Sequence, residues 1–210
     1  MTPSKAELYN ALENRHGVEI QKKFKAACIG IAGLGGLGSN IAVHLARMGV
    51  EHLVLADFDI VDITNLNRQH YTIQHLGTPK TEALISQLLD INPYLRCEVH
   101  NTRITAHNAV ELFKDCSIVC EAFDLPDQKA MLIETLLADS PDTYIVSGNG
   151  MAGFDTANTI QVRQKIGRLF ICGDGTSDVG QVHGLYAPRV SVCASHQATA
   201  VLRLLLGLAP

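Results

Sequence analysis

A glycine-rich segment near the N-terminus has the residue types and spacing of a nucleotide-binding turn. Residues 33–38, Gly-Leu-Gly-Gly-Leu-Gly, match the G-x-G-x-x-G pattern and follow an apolar run that is typical of a buried strand. Glycines allow a tight turn and a close approach of the backbone, and a following helix presents N–H groups to phosphate. We therefore predict that the four glycines of this motif line a nucleotide: Gly33, Gly35, Gly36 and Gly38.

An acidic residue stands where such a site needs a partner for ribose. Asp57 ends the second predicted strand, about 20 residues after the glycine motif, at the position of a ribose-binding carboxylate. Because NAD and ATP both contain adenosine, the glycines and Asp57 predict a nucleotide without choosing between the two.

Two basic residues downstream bear on that choice. Arg68 lies in the segment 65–69 (NLNRQ), and Lys80 follows Pro79 at a predicted helix start. A triphosphate carries more negative charge than a pyrophosphate, and an arginine and a lysine in the site can offset it. Each residue also has a simpler interpretation, a surface ion pair for Arg68 and an ordinary first-turn residue for Lys80.

The elements that must position these residues alternate along the chain. Apolar runs at 26–32, 52–56, 117–122 and 144–147 predict buried strands, and 96–102 a further one. Helical patterns cover 39–48, 79–91, 107–114, 126–138 and 188–206. This predicts an α/β fold with a Rossmann-like, mostly parallel sheet and helices on both faces. Two strand-like runs within 158–172 predict an antiparallel extension, and residues 1–25 a helical segment of one domain spanning 1–210.

Composition excludes several function classes. There are 17 basic and 21 acidic side chains, a formal net charge of −4, and no block of Lys and Arg, so we expect no nucleic-acid partner. The N-terminus lacks the apolar run of a signal peptide, and no apolar stretch is long enough for a bilayer. We therefore expect a cytoplasmic protein without a membrane partner.

The six cysteines are spread singly along the chain and form no C-x-x-C pair. Zinc sites usually draw on such close pairs, so we expect no zinc. The cysteines are interpreted as small buried hydrophobic residues in a reducing compartment.

Several motifs together carry a family resemblance. GLGGLGSN at 33–40, LADFD at 55–59, NLNRQ at 65–69 and the Pro79-Lys80 pair resemble the adenylating domain of the ubiquitin-activating-enzyme superfamily. Within it, the chain is most similar to bacterial sulfur-carrier adenylyltransferases of the ThiF and MoeB type. The compact length and EAFD at 121–124 resemble a short ThiF-like subgroup. The clear resemblance spans about residues 26–137 and continues weakly toward the C-terminus.

The resemblance implies an ATP-dependent adenylation. A small ubiquitin-like carrier protein (ThiS-like) would present its C-terminal glycine carboxylate to the α-phosphorus of Mg²⁺-ATP. Pyrophosphate would leave and an acyl-adenylate would form, with thiamine biosynthesis the expected pathway and molybdopterin synthesis or another sulfur pathway still open. The family also implies a homodimer.

The resemblance assigns roles to individual residues. Asp57 would bind ribose, Lys80 a phosphate and Asp124 the magnesium ion. Three further residues would face the phosphates: Asn65, Arg68 and Gln69.

Two of the implied roles have simpler alternatives. Asp124 could cap the helix that starts near Pro126, a common use of aspartate. Arg15 matches an arginine that the family supplies across the dimer into the neighbour's ATP site, but it could be a solvated surface residue.

Two other functions share parts of this sequence pattern. An NAD(P)-dependent oxidoreductase would share the glycine turn and Asp57, although the chain offers little room for a substrate domain. A non-catalytic nucleotide-binding scaffold would be expected to lack Arg68, Lys80 or Asp124. Some relatives use a cysteine in a crossover loop, but the corresponding segment 173–187 has none, so catalysis is expected to stop at the adenylate.

Overall fold

One seven-stranded sheet organises the computed structural model, which describes residues 2–182 and 184–210. Its strands are β1 (Cys28–Ala32), β2 (His52–Asp57), β3 (Arg96–Asn101), β4 (Ile118–Glu121), β5 (Tyr144–Gly148), β6 (Gln161–Ile166) and β7 (Leu169–Gly173). They lie in the order β3-β2-β1-β4-β5-β7-β6. Every neighbouring pair is parallel except β6 with β7. The predicted mostly parallel α/β sheet is confirmed.

The helices cover both faces of this sheet. They are α1 (Lys5–His16), α2 (Val18–Ala26), α3 (Gly36–Met48), α4 (Lys80–Ile91), α5 (Ala109–Leu112), α6 (Pro126–Asp139) and α7 (Ala187–Leu205). One apolar core packs α3, α4 and α7 against alternate residues of the central strands, including Ile29 and Ile31 of β1. The other packs α5 and α6 against the opposite face, which includes Ala32. Both faces are covered, so β1 and β4 are buried throughout, and their residues are apolar except Glu121 at the end of β4.

The far edge of the sheet differs from the prediction in one respect. Strand β7 continues the parallel sheet next to β5, and only β6 runs antiparallel to it. Gly167 joins the two strands with a φ of 49°. The runs 161–166 and 169–173 therefore form a hairpin whose inner strand is buried and whose outer strand is mostly exposed.

Some predicted boundaries shift by one to three residues. Ala26 ends α2 instead of starting β1. Helix α3 begins at Gly36, so the second half of the glycine motif is already helical. Pro79 is the N-cap of α4 and lies just outside its first turn, because its ψ of 133° is extended.

The two N-terminal helices lie at the amino ends of the strands. Tyr9, buried in α1, accepts a hydrogen bond of 3.1 Å from Asn92, which follows α4. Gln21 of α2 donates to the carbonyl of Gly49, which follows α3 and precedes β2. The cleft described below lies at the opposite, carboxyl ends of the strands. Among the helices of the described residues, none has both the length and the apolar character needed to cross a bilayer.

Candidate active site

A cleft of about 540 Å³ opens where the parallel strands end. In an open parallel sheet this edge is where ligands bind, at the point where the strand order reverses. Here that point is β1: strands β2 and β3 follow on one side of it, and strands β4 and β5 on the other. The cleft brings together eight of the predicted site residues: Gly33, Gly35, Gly36, Asp57, Arg68, Gln69, Lys80 and Asp124.

The glycine turn forms the floor of the cleft. Gly33 has a φ of 88°, which favours glycine, and its N–H donates to the carbonyl of Ala56 at 2.9 Å. A Cβ on Gly33 would approach the Ala122 carbonyl oxygen to 3.0 Å. Helix α3 then starts at Gly36, so its first N–H groups and the positive end of its dipole face the cleft.

Asp57 fixes this turn from the end of β2. Its Oδ2 accepts a hydrogen bond of 2.6 Å from the Leu34 N–H, and its Oδ1 accepts one of 2.8 Å from the Asp59 N–H. Burial raises the pKa of the Asp57 carboxyl, and the nearby Lys80 charge partly offsets that effect. Each carboxylate oxygen has a second lone pair, so Asp57 can also accept from a ribose hydroxyl.

Lys80 is a buried cation at the start of α4. Its side chain is 7% exposed, and its ammonium donates to Asp59 Oδ2 at 2.7 Å. Within the described residues, Asp59 is its one hydrogen-bond partner, so two N–H groups of the ammonium can bind an anion in the cleft.

Arg68 is held beside the glycine turn by its own segment. Its Nη1 donates to the Thr64 carbonyl at 3.0 Å and to Asn67 Oδ1 at 2.9 Å. Asn40 of α3 donates to the Arg68 carbonyl at 3.3 Å and thereby ties this segment to the helix. The side chain of Gln69 is buried, and its Oε1 has no hydrogen-bond partner among the residues described. Both residues line the cleft, Arg68 beside Gly36 and Gln69 beside Gly35.

Asp124 lines the opposite wall as an exposed side chain. Leu125, not Asp124, is the N-cap of α6, and no side chain caps that helix. The interpretation of Asp124 as a capping residue is therefore wrong.

The exposed carboxylate of Asp124 fits magnesium better than it fits a metal held by protein groups alone. Mg²⁺ is usually bound by one or two carboxylates together with substrate phosphates. The described residues contain no group of three or more His, Cys, Asp or Glu side chains that could hold a metal ion. Asp124 would thus hold Mg²⁺ jointly with a nucleotide.

Gly38, which is predicted to line the nucleotide, is not among the residues that line the cleft. A Cβ at this position would overlap the carbonyl oxygen of Gly33. The last glycine of the motif therefore allows the close packing of helix α3 on the turn.

Asn65, which is predicted to face the phosphates, is also not among the residues that line the cleft. Its Oδ1 accepts a hydrogen bond of 3.0 Å from the Asp62 N–H and caps a short 3-10 turn. Its carbonyl accepts from the backbone N–H groups of Arg68 and Gln69. Asn65 thus shapes the segment that carries two cleft residues.

Arg15 is exposed in the last turn of α1, at the amino ends of the strands. It does not line the cleft of its own chain. A role for Arg15 at an ATP site would require a second copy of the chain, so this role stays a prediction.

Sequence reasoning missed several residues of the cleft and its wall. Asp59, the partner of Lys80, is part of the DFD run and could have been found there. The guanidinium of Arg103 stacks 4.0 Å from the centroid of the Phe58 ring beside Asp57, without any motif to signal it. Glu121 and Lys129 form an ion pair behind Asp124 that joins residues eight positions apart.

The two cysteines near the C-terminus are core residues. Cys172 and Cys193 are fully buried, and the Cys193 thiol donates to the Cys172 carbonyl at 3.2 Å. Burial raises the pKa of Cys193 to about 12. Neither thiol is therefore a nucleophile at neutral pH.

Comparison of the sequence with known protein families identifies the family of this chain. The sequence profile of the ThiF family matches residues 9–210. The chain belongs to the ThiF family. Membership of the ThiF family confirms the resemblance read from the glycine motif and the segments at 55–59 and 65–69.

Several curated relatives of this ThiF-family chain are named adenylyltransferases. The adenylyltransferase and sulfurtransferase of Candida glabrata is 29% identical over 93% of the chain, which spans 46% of that protein. The sulfur carrier protein adenylyltransferase of Thermus thermophilus is 34% identical over 51% of the chain, and the matched region is 40% of that protein. The probable adenylyltransferase/sulfurtransferase MoeZ of Mycobacterium tuberculosis is 36% identical over 51% of the chain and 28% of its own length. The match thus spans less than half of each relative.

Solved structures share the fold of this ThiF-family chain over most or nearly all of its length. The E. coli tRNA N6-threonylcarbamoyladenosine dehydratase TcdA, solved with AMP, superposes with a TM-score of 0.86 at 22% identity. That match covers 99% of this chain and 98% of the other. E. coli MccB, solved with ATP, superposes with a TM-score of 0.67 at 22% identity, over 89% of this chain and 57% of the other.

Proposed function

We propose that this protein uses ATP to adenylate the C-terminal glycine carboxylate of a small ubiquitin-like sulfur-carrier protein. The observation that carries the proposal is the convergence of Asp57, Arg68, Lys80 and Asp124 on one cleft around the glycine turn. Family membership and the names of the curated relatives support the same reaction. ATP is its expected co-substrate and magnesium its expected ion.

The proposed chemistry depends on position and charge. A carboxylate is already a nucleophile, so the site must align it with the α-phosphorus and stabilise the charge that builds on the phosphates. The glycine turn and the start of α3 would bind phosphate, and Asp57 would hold the ribose. Arg68 and Lys80 would offset the negative charge as pyrophosphate leaves. Mg²⁺, held by Asp124, would neutralise phosphate charge when bound.

The alternatives fit the observations less well. An NAD(P)-dependent oxidoreductase is disfavoured by membership of the ThiF family. A non-catalytic scaffold is disfavoured because Arg68, Lys80 and Asp124 are all present and all line the cleft.

We also propose a homodimer in which Arg15 enters the partner's cleft. In support, four apolar side chains on the segment between β2 and α4, which also carries Arg68, are 39% to 76% exposed. Large apolar side chains exposed along one segment favour an interaction surface there. The four side chains are Ile60, Ile63, Ile73 and Leu76.

Carrier-dependent exchange of labelled pyrophosphate into ATP tests the reaction. Exchange is expected with a ThiS-like carrier that ends in Gly-Gly and is expected to vanish when those two residues are deleted. Parallel arms with a molybdopterin-pathway carrier and with tRNA test the thiamine assignment and the expectation of no nucleic-acid partner. Exchange that requires tRNA and ignores every carrier would contradict the proposal.

A further inference from the structure

Glu121 is a fully buried carboxylate directly behind the cleft. It is the last residue of β4 and is 0% exposed. Its Oε1 accepts hydrogen bonds from the Phe123 N–H at 2.7 Å and from Lys129 at 3.0 Å. Its Oε2 accepts from the Ser147 hydroxyl at 2.6 Å and from Lys129 at 3.0 Å. The carboxylate therefore joins β4 and β5 to the turn and helix that follow β4.

Lys129 completes this link from α6. Its side chain is 19% exposed, and its ammonium donates to both oxygens of Glu121 and to the Gly148 carbonyl at 2.9 Å. These three acceptors match its three N–H groups, so Lys129 is fully engaged although it borders the cleft. Lys129 therefore links α6 to β4 and β5 and is not a further cation for phosphate.

The turn that this link holds is the one that carries Asp124. The bond from Phe123 N–H to Glu121 closes the turn one residue before Asp124. A Cβ on Gly33 would lie 3.0 Å from both the Ala122 carbonyl oxygen and the Phe123 ring. The turn thus rests directly on the glycine turn, and its position sets where Asp124 stands relative to the nucleotide floor.

We infer that the Glu121–Lys129 pair is a positioning device for Asp124. The inference rests on the proposed function, because it assigns Asp124 to the magnesium ion of ATP. A buried ion pair is weak evidence for stability, since removing two charges from water offsets their attraction. Its geometry gives it a different use, because the pair ties the turn at Phe123 and helix α6 to Ser147 and Gly148 of β5. Moving a reacting group by about 1 Å typically lowers a rate by about 10²-fold.

Binding of a non-hydrolysable ATP analogue tests this without relying on turnover. Calorimetry would give the ratio of its dissociation constants without and with Mg²⁺, as a measure of the magnesium-dependent part of binding. In Glu121→Gln we expect that ratio to fall toward the value in Asp124→Asn. In the Glu121→Gln/Asp124→Asn double variant we expect less than about a twofold further change in this ratio, because both substitutions remove the same interaction.

The control is Thr143→Val, which removes a buried hydrogen bond of 3.1 Å to the Cys116 carbonyl at the opposite end of the sheet. It should match wild type in the magnesium ratio even if its melting temperature falls. Should Glu121→Gln fail to fold, Glu121→Asp is the second variant, because it keeps the charge but retracts the carboxylate. The longer arginine in the Glu121→Asp/Lys129→Arg double variant should then restore the magnesium ratio.

A wild-type magnesium ratio in a folded Glu121 variant would overturn the positioning role. So would a further large fall in the double variant with Asp124→Asn. If Asp124→Asn itself leaves the ratio unchanged, the magnesium role of Asp124 and the positioning role both fail. The adenylation proposal would still stand or fall on pyrophosphate exchange alone.

Discussion

The carboxylate of Asp57 holds the backbone N–H of Leu34 at 2.6 Å, so the predicted ribose acid also anchors the glycine turn. The same turn is fixed from the other side by Gly38, whose backbone packs against Gly33. Within one motif, Gly35 therefore lines the cleft, whereas Gly38 allows helix α3 to pack against the turn.

Alanine at Gly35 and at Gly38 should separate these two functions. At Gly35 the new Cβ would have its nearest neighbour, the Gln69 amide nitrogen, at 3.6 Å, so the fold should tolerate it. It would project into the cleft and should weaken ATP affinity about tenfold or more. Gly38→Ala should instead lower stability by at least about 1–3 kcal/mol, because Cβ would overlap backbone. Thermal unfolding and calorimetric titration with ATP measure both effects. Equal loss of stability in the two variants would contradict this division.

Loss of either charged group that is assigned to the nucleotide and its magnesium ion should abolish most of the exchange activity. Lys80→Ala and Asp124→Ala are each expected to reduce pyrophosphate exchange about 10²–10³-fold, as for other groups that stabilise developing charge. Asp124 is exposed and Asp59, the partner of Lys80, is 45% exposed, so both variants should fold. Lys114→Ala and Asp142→Ala, at exposed positions outside the cleft, are the matched controls. Exchange close to wild type in either site variant would remove that residue from the mechanism.

The buried thiols should take no part in adenylation. Alanine at Cys172 and Cys193, singly or together, is expected to leave exchange per folded molecule within about twofold of wild type, because neither buried thiol is ionised. Elemental analysis of the purified protein should find no stoichiometric zinc. One zinc per chain, or collapse of exchange in a folded double variant, would show that the interpretation of the cysteines is wrong.

Mixing two inactive variants should reveal whether Arg15 acts across a dimer. Arg15→Ala and Lys80→Ala should each be nearly inactive. Random subunit exchange between them should restore about a quarter of the wild-type sites, since half the dimers are mixed and each has one intact site. Arg15→Ala mixed with the Arg15→Ala/Lys80→Ala double variant should stay inactive and serves as the control. If mass spectrometry shows mixed dimers and the first mixture also stays inactive, Arg15 has no role in trans.

The ion pair between Asp174 and Arg189 should make stability depend on acid pH. The two side chains are 8% and 4% exposed, and Arg189 Nη2 lies 2.5 Å from Asp174 Oδ2. Burial alone would raise the pKa of Asp174, but backbone hydrogen bonds from Ser177 and Thr176 lower it below its ordinary value of 3.8. Ionised Asp174 thus stabilises the fold above about pH 4, and this contribution is lost as pH falls through its lower folded pKa.

Asp174→Asn should therefore destabilise the protein most at neutral pH, by about 3–5 kcal/mol because Arg189 loses its buried partner. The difference from wild type should shrink as pH falls below about 4. Urea unfolding of both proteins across this range measures it. Asp178→Asn, at an exposed position of the same loop, should show no such trend. A difference that stays constant with pH would contradict the assigned pKa direction.

Much of this architecture could be predicted because local signals and tertiary structure agree. Apolar runs at β1 and β4 indicate strands covered on both faces, and the glycine motif with Asp57 gives the order of strand, turn, helix and strand. The pairing of β7 with β5 could not be predicted, because a short apolar run does not indicate which strand it pairs with. The hairpin turn at Gly167 was the available signal for β6.

At the site, residue types predicted the cleft better than they predicted individual contacts. Asn65 is polar and lies in the right segment, yet its side chain caps a turn, which only the local backbone geometry reveals. The pair of Glu121 and Lys129 leaves no mark in sequence, because buried partners on a strand and a helix follow no fixed spacing. Arg15 cannot be placed from one chain alone.

The two outermost strands have a consequence for behaviour in concentrated solution. Strand β3 carries Arg96, Glu98 and His100, and β6 carries Arg163 and Lys165, so both borders of the sheet bear charged or titratable groups. Unpaired backbone groups along such a border otherwise invite strand addition from another molecule, and charged side chains there oppose it. Concentrated protein should therefore resist fibril formation that starts from strand-to-strand contact at either border.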